Sequence, residues 1–298
     1  MKPGIHHDIS IQEYHRNREW ISATGLKHAK RSMQDLRYYL DGGYDSLTGS
    51  HFDFGNAFEL ALLDADAFLR EVAIMPTQKW IEDALAGNQK LVNAKLSTAY
   101  QESLKKFKEA HAGKYIINDV GSESLETLQA MLESCRRNPW ISSMIQNIQY
   151  QASLCWIDPE TGIQLKTRPD ICKISKNIVV NLKTTTNASP EVFNRELAKY
   201  DYPLQAVTEI IGVEATGLMP KVDKYFWLVV EKEAPYHVQL YEFDQSDIAH
   251  VKQEFYFLLS RIRLAMDSGE WKGYGDRADN PYGILTARIP GYWGVYQQ

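Results

Sequence analysis

The stretch 167–185, TRPDICKISKNIVVNLKTT, decides the fold because it joins a β-branched apolar run to polar residues that could serve a metal site. Residues 178–180 are typical of a buried central strand. Asn181 and Lys183 are two residues apart, so in a strand their side chains point to the same face of the sheet. Hydrolysis of a phosphodiester requires a metal ion, an activated water and a positive group. Asp170 and Lys183 are therefore candidates for that chemistry.

The same residues also allow a simpler interpretation, in which Asp170 and Lys183 form a structural ion pair. A lysine at the end of a buried strand needs a partner, and either Asp170 alone or an acidic metal–phosphate centre provides one. The spacing does not choose between the two. Asn181 is the difficult residue, since its amide carries no charge.

Length and composition favour one elaborated domain. The chain has 298 residues, of which 44% are hydrophobic and 24% charged, which is enough to bury a sizeable core. Without repeats or linkers, we predict a single domain over 1–298, with a helical part over about 1–145, a core over about 146–270 and a tail over 271–298. No apolar run is long enough to span a bilayer and no secretory signal is found, so we expect no membrane association and a cytoplasmic location.

The first half of the chain carries helical patterns. One helix is predicted over 21–43, with Ser22 as N-cap and a glycine pair as the stop. A second is predicted in 121–139, where Ser122 precedes acidic residues and the apolar positions share one face.

The second half changes to the period of strands. Segments 149–157, 163–174 and 177–184 predict a meander of three strands. A helical region follows, in which Pro203 suits the first turn of a second helix, and then two further strands and a long amphipathic helix. This order predicts an α/β fold, a mixed central sheet flanked by helices, with a helical N-terminal half.

Charge and cysteine usage exclude some classes of protein. A net charge of −5 argues against non-specific coating of nucleic acid, although a local basic groove remains compatible with it. Cys135, Cys155 and Cys172 form no C-x-x-C pair, so neither a disulfide framework nor a metal–sulfur cluster is encoded, and we expect buried thiols.

Candidate DNA contacts are basic. Lys27, Lys30 and Arg31 fall close together on the first predicted helix and could bind phosphates, or they form an ordinary solvated face. Arg168 would share the sheet face of Asp170, and it could either bind a phosphate or form a structural salt bridge.

Seven ordered blocks carry a family resemblance. The chain resembles the exodeoxyribonuclease VIII (RecE-type) phage recombination nucleases from near its N-terminus to about residue 270. The blocks are HHDISIQEYH, FDFGNAFELALLDADAF, CWIDPETG, KTRPD, NLKTT, YPLQAVTEIIG and WLVVEKEAPYHVQLYEFD. The resemblance implies a PD-(D/E)xK nuclease core, Mg²⁺ or Mn²⁺ as cofactor and degradation of linear duplex DNA from the 5′ end. It also implies a homo-oligomeric ring and a single-strand annealing protein as partner in phage or prophage recombination.

Some family site residues are present. Asp170 matches the metal-binding aspartate, Lys183 matches the lysine, and Tyr202 with Gln205 matches a Y-x-x-Q element that would contact DNA and the site.

Other positions depart from the family pattern. Glu59 replaces a histidine and Gln151 replaces a glutamate. Asn181 replaces the second aspartate, and Glu209 replaces a tyrosine.

The four departures conserve charge. Gln151 and Asn181 remove two negative charges from the implied site, while Glu59 and Glu209 add two if Glu209 points inward, which returns the total to about −3. We therefore predict a relocated metal site.

Its predicted metal ligands are Glu59, Asp170, Asn181 and Glu209, and its predicted catalytic residues are Asp170, Asn181, Lys183, Gln151 and Gln205. Lys183 would position the attacking water. The alternative is an inactive member of the same fold that binds DNA ends or a partner.

Overall fold

The computed structural model describes residues 1–44, 50–87, 93–276 and 283–288. The β-strands in these ranges are β1 Gly4–His6, β2 Val72–Met75, β3 Tyr115–Asn118, β4 Gln149–Tyr150, β5 Ser153–Ile157, β6 Gln164–Thr167, β7 Ile171–Lys173, β8 Ile178–Thr185, β9 Lys224–Glu231 and β10 Val238–Glu242. The α-helices are α1 Ile11–Arg16, α2 Ala23–Arg31, α3 Met33–Leu40, α4 Ser50–Leu63, α5 Ala65–Glu71, α6 Thr77–Gly87, α7 Thr98–Ala110, α8 Leu125–Arg137, α9 Pro139–Met144, α10 Pro190–Lys199, α11 Tyr202–Ala215 and α12 Gln245–Ser268.

A five-stranded sheet in the order β10-β9-β8-β7-β4 forms the centre of the fold. β8 runs parallel to β9 and antiparallel to β7, so the sheet is mixed. Successive side chains of a strand point to opposite faces. Val179 of β8 packs in the core with α2, α11 and α12, whereas Val180 packs in the core with α4 and α8. Helices therefore cover both faces, which confirms the predicted mixed α/β fold.

A second sheet, β1-β5-β6, meets the central sheet along a seam. The predicted three-strand meander is wrong here, because two of its strands are each divided between the two sheets. Gln151 separates β4 from β5 and has a left-handed φ of 49°, which a strand cannot continue. Pro169 separates β6 from β7 and lacks the N–H that a sheet needs. Both crossings therefore lie at the seam.

Helix α11 packs very closely against the second sheet at Gly212. A Cβ atom at this position would lie 2.6 Å from Thr167 and 2.7 Å from Trp156. Residues 205, 209 and 212 share one helix face because they are one turn apart. The close approach of Gly212 therefore directs Gln205 and Glu209 toward the seam.

Two predicted helix boundaries are wrong. The helix predicted over 21–43 is two helices, because the Ser32 side chain accepts a hydrogen bond from the Asp35 N–H and caps α3. Ser22 occupies the N-cap position of α2 without making a side-chain cap bond. The cap of α8 is Ser124, which accepts from the Thr127 N–H, and not Ser122.

The remaining predictions concern the N-terminal half, the thiols and the tail. The described part of the N-terminal half is mainly helical, with the short parallel pair β2–β3. The three cysteines are buried and free, as predicted. None of the described helices is long and apolar enough to cross a bilayer. Trp271 packs against the core, but most of the aromatic tail, at 277–282 and 289–298, lies outside the described residues.

Candidate active site

A cavity of about 800 Å³ opens over the seam between the two sheets. Its wall includes Glu59 from α4, Gln151 and Asp170 from the two crossings, and Gln205 and Glu209 from α11. Five residues of the predicted site are thus brought to one cavity from distant parts of the chain. Asn181 and Lys183 do not line it, but lie one contact further in, against Glu209 and Gln205.

Asp170 lies at the edge of the central sheet. Ile171 pairs with Val180, so one further step of the same antiparallel register brings Asp170 opposite Asn181. One carboxylate oxygen, Oδ2, accepts a hydrogen bond of 2.6 Å from the Leu182 N–H. Burial raises the pKa of Asp170, while the charge of Lys183 and the Leu182 N–H oppose that rise. This half-buried carboxylate is therefore only partly compensated.

Glu59 faces Asp170 from α4. Its Oε1 accepts a hydrogen bond of 3.0 Å from the Gln151 amide. Burial, and then the charge of Asp170, raise the pKa of Glu59 to about 8, against an ordinary value of 4.5, and the Gln151 hydrogen bond opposes this shift. The amide at one divergent position thus supports the carboxylate at another.

A second amide–carboxylate pair joins Asn181 and Glu209. Asn181 Nδ2 donates to Glu209 Oε1 at 3.3 Å, and the Gln205 amide donates to the same oxygen at 2.9 Å. The Tyr225 hydroxyl donates to Glu209 Oε2 at 2.8 Å. Burial, and then the charge of Asp170, raise the pKa of Glu209 to about 8. Glu209 is 1% exposed, so it does point inward.

Lys183 lies between Gln205 and Tyr202. Its ammonium is 3.4 Å from Gln205 Oε1 and 4.5 Å from the centre of the Tyr202 ring. Within the described residues, Lys183 forms no salt bridge with Asp170, although its charge opposes the rise in the pKa of Asp170. The alternative of a direct Asp170–Lys183 ion pair is therefore not what the structure contains.

The predicted DNA contacts on α2 divide into two groups. Lys27 lines the cavity, with its ammonium 5.8 Å from the centre of the Tyr202 ring. Burial, and then the nearby charge of Lys183, lower the pKa of Lys27 to about 8. Lys27 is thus brought to the site, and Tyr202 lies beneath both lysines rather than in the cavity wall.

The other two basic residues of α2 point elsewhere. Lys30 pairs with Asp201 at 2.8 Å and with Glu254 at 3.0 Å. Arg31 lies 3.5 Å from Asp35 and is largely exposed. Neither residue lines the cavity. Their predicted contacts with DNA phosphates would therefore lie outside this site.

Arg168 lines the cavity but is also a structural anchor. Its Nη1 donates to the Ile9 carbonyl at 3.0 Å and to the Ser153 hydroxyl at 3.3 Å, which ties the N-terminal segment to β5. Its Nε is buried without a partner. Burial lowers the pKa of Arg168.

The donor set fits a hard divalent cation in kind. Carboxylate and amide oxygens are the ligands that Mg²⁺ and Mn²⁺ prefer. The Asn181 Oδ1 atom is buried and has no hydrogen-bond partner, which leaves an oxygen for such an ion. Across the described ranges, however, no three His, Cys, Asp or Glu side chains are grouped closely enough to hold a metal ion. The Asn181 amide oxygen would therefore complement the carboxylates in a cation site here.

Tyr225 belongs to the site but is not among the residues predicted from the sequence. It is fully buried in β9 and its hydroxyl holds Glu209. A buried tyrosine needs a partner for its hydroxyl. Its place in an apolar strand was the available signal, but the partner depends on how α11 packs on the sheet.

Comparisons with known proteins agree with this fold. The chain is similar to a solved "putative exonuclease" from Eubacterium rectale, with 12% sequence identity, a TM-score of 0.57, and coverage of 95% of this chain and 96% of that chain. At this identity the likeness shows the fold alone. A phage-related exonuclease from Haemophilus somnus 129PT aligns at 11% identity over 65% of this chain and 94% of that chain, but its TM-score of 0.31 carries no argument. No curated protein matches the chain.

A protein-family model matches most of the chain. The model of a PDDEXK-like domain of unknown function (DUF3799) matches residues 22–280. This range contains both amide–carboxylate pairs, Asp170 and Lys183, and it confirms the predicted PD-(D/E)xK nuclease-like fold. The RecE-type assignment within this superfamily stays a prediction. The chain belongs to the PDDEXK-like DUF3799 family.

Proposed function

We propose that this chain is a metal-dependent nuclease that degrades linear double-stranded DNA from its ends in the 5′ to 3′ direction. The observation that carries the proposal is that three carboxylates, the half-buried Glu59 and Asp170 and the buried Glu209, line one cavity beside Lys183. Burying like charges together is costly unless a counter-charge joins them. A divalent cation is the counter-charge that suits oxygen donors.

The residues that would hold Mg²⁺ or Mn²⁺ are Asp170, Glu59 and Asn181. A bound cation would polarise the phosphodiester and lower the pKa of an attacking water. Lys183 would orient that water and stabilise negative charge developing on the phosphate. The Gln205 amide oxygen accepts from Lys183, so it holds the ammonium in place.

The basic residues of the cavity wall support a DNA substrate. Lys27 and Arg168 both line the cavity, although the chain carries a net charge of −5. A local positive group is enough to attract a phosphate to an otherwise acidic centre. These two side chains would draw the DNA backbone toward Asp170.

A second candidate function is DNA-end binding without catalysis. Its support is that the pocket is largely satisfied by protein donors: Gln151 pairs with Glu59, while Asn181, Gln205 and Tyr225 all donate to Glu209. In this case the same fold would bind DNA or a partner without cleaving it.

Digestion of end-labelled, 5′-phosphorylated linear duplex with Mg²⁺ or Mn²⁺ distinguishes the two functions. The nuclease should shorten the linear duplex progressively from its 5′ end and spare a circular duplex of the same sequence. Asp170→Asn and Lys183→Met variants should bind the duplex and leave it intact. Binding without cleavage by the unaltered chain, with either metal, would establish the second function and refute the first.

The family resemblance extends the proposal to assembly and partners. A homo-oligomer would enclose the duplex, and a single-strand annealing protein would take up the exposed strand for phage or prophage recombination. Sedimentation of the chain alone, and then with linear duplex, measures the first of these directly.

A further inference from the structure

Among the described residues, none hydrogen-bonds to the side-chain oxygen of Asn181. The residue is 1% exposed, its Nδ2 donates to Glu209, and its Oδ1 is buried without a hydrogen-bond partner. Leaving a buried carbonyl oxygen unpaired is energetically costly. Such an atom, on the residue opposite Asp170 in the neighbouring strand, would be satisfied by a positive group.

Glu209 determines which way the Asn181 amide faces. An amide has nearly the same shape after a half-turn, so its orientation follows from the hydrogen bonds it can make. Glu209 Oε1 accepts from the Asn181 amide, so the NH₂ group of Asn181 faces Glu209 and the oxygen faces away. The Gln205 amide oxygen accepts from Lys183, so the Gln205 NH₂ group donates to Glu209 Oε1, and the Tyr225 hydroxyl donates to Oε2. These donors hold the Glu209 carboxyl in place.

The oxygens of Glu209 are already occupied, unlike those of its neighbours. Three donors share its two oxygens, from Asn181, Gln205 and Tyr225. Within the described residues, Glu59 uses only Oε1 and Asp170 only Oδ2 as hydrogen-bond acceptors. The free atoms are therefore Glu59 Oε2, Asp170 Oδ1 and Asn181 Oδ1. This agrees with the lack of any group of three acidic or histidine side chains in the described ranges that could hold a metal ion.

We propose that Glu209 is a positioning residue that orients Asn181 as a neutral oxygen ligand, and that the pocket holds a single divalent cation on Asp170, Glu59 and Asn181. Glu209 then acts through the amide and not on the metal. The inference rests on the proposed function only in requiring a divalent cation in this pocket, and it names how an amide at one divergent position, Asn181, is oriented by a carboxylate at another, Glu209.

Binding of Mn²⁺ to the full chain tests the inference without any DNA. Electron paramagnetic resonance of free Mn²⁺ gives both affinity and stoichiometry, and the unaltered chain should bind one Mn²⁺. Glu209→Gln supplies an NH₂ group that can pair with Asn181 Oδ1, so the ligand oxygen is consumed and affinity should fall at least about tenfold. Asn181→Leu removes the oxygen outright and should cause a similar loss. Glu71→Gln, an exposed change on the same cavity, should leave binding unchanged.

The deciding variant combines Asn181→Asp with Glu209→Gln. This double variant keeps the number of carboxylates but moves one from position 209 to position 181. Both oxygens of an aspartate can bind a cation, so the ligand at position 181 no longer needs to be oriented. Mn²⁺ affinity should return to that of the unaltered chain or exceed it. Circular dichroism and thermal unfolding of each variant show whether it is folded before its affinity is compared.

Several outcomes overturn the inference. Unchanged affinity in Glu209→Gln would do so, as would two Mn²⁺ ions per unaltered chain. A folded double variant that does not recover binding would make Glu209 a direct ligand.

These results separate the inference from the proposed function. If Mn²⁺ binds as described but linear DNA stays intact, the nuclease proposal fails and the ligand assignment stands. If cleavage requires Mn²⁺ but Glu209→Gln binds it normally, the nuclease proposal stands and the ligand assignment fails.

Discussion

The metal-free protein should lose stability as the pH rises from 6 toward 8. The pKa of both Glu59 and Glu209 is about 8 in the folded chain, against an ordinary value of 4.5. Between these values the folded state keeps protons that the unfolded state releases, so stability falls as pH rises. This contribution is complete below about pH 4.5 and is lost once the pH passes about 8.

The slope can be estimated from proton linkage. One such carboxyl lowers the free energy of unfolding by about 1.4 kcal/mol per pH unit in this window. Glu59 and Glu209 both interact with Asp170, so their titrations are not independent, and we expect a combined loss of about 3–5 kcal/mol over two pH units. At about 2–4 °C per kcal/mol, the unfolding midpoint should fall by roughly 6–20 °C.

Urea unfolding in a chelator, at fixed pH values from 5.5 to 8.5, measures this slope. Glu59→Gln removes one of the two groups, so its slope should be smaller by about 1.4 kcal/mol per pH unit. Glu71→Gln, on the same cavity but exposed, is the matched control and should keep the original slope. Mn²⁺ should restore more stability at pH 8 than at pH 6. A stability that rises across this range, or equal slopes for Glu59→Gln and Glu71→Gln, would show that Glu59 does not keep a proton in the folded chain.

Three further predictions follow from side-chain contacts. Lys183→Met should reduce cleavage of linear duplex at least about a hundredfold while DNA binding persists, because the ammonium is needed in the reaction and not for docking; equal losses of binding and cleavage would count against that role. Lys27→Gln should weaken DNA binding and reduce the salt dependence of binding by about one phosphate contact. Lys30→Gln removes a lysine that is paired with two carboxylates, so it should change neither quantity. Fluorescence anisotropy of labelled duplex at several salt concentrations compares the two variants. Ser124→Ala should lower the free energy of unfolding by about 1 kcal/mol through loss of the α8 cap, and Ser122→Ala should not; equal urea midpoints for the two variants would contradict the cap assignment.

Local patterns were sufficient for the central elements. The β-branched run at 178–180 is the buried β8 strand, and Pro203 lies in the first turn of α11. Gln205 and Glu209 share a helix face because they are four residues apart, and both line the cavity. These features depend only on periodicity and on the conformational limits of proline, which a sequence displays directly.

The seam could not be predicted in this way. Strand patterns continue through Gln151 and through the R-P-D segment, and only the left-handed φ of Gln151 and the change of pairing partner show that the chain changes sheets there. A change of sheet is a matter of long-range pairing, which local propensity does not report. The meander was mispredicted for this reason.

The partners of the site residues also depend on long-range packing. The resemblance pointed to Glu59 and Gln151 as separate substitutions, and the structure shows that one donates to the other. The pairing of Asn181 with Glu209, and the support of Glu209 by Tyr225, require α11 to lie on the central sheet. The charge balance predicted only that Glu59 and Glu209 replace the negative charges absent at Gln151 and Asn181. The contacts show that each amide donates a hydrogen bond to one of these carboxylates.

The proposed cation beside Asp170 would serve hydrolysis of DNA. The most direct measurement is a titration of Mn²⁺ in which bound Mn²⁺ and the rate of linear duplex cleavage are followed on the same sample. The rate should rise in proportion to occupancy of one bound ion, and Asp170→Asn should lose both signals together. A saturated site with no cleavage, or cleavage that survives in Asp170→Asn, would contradict this role.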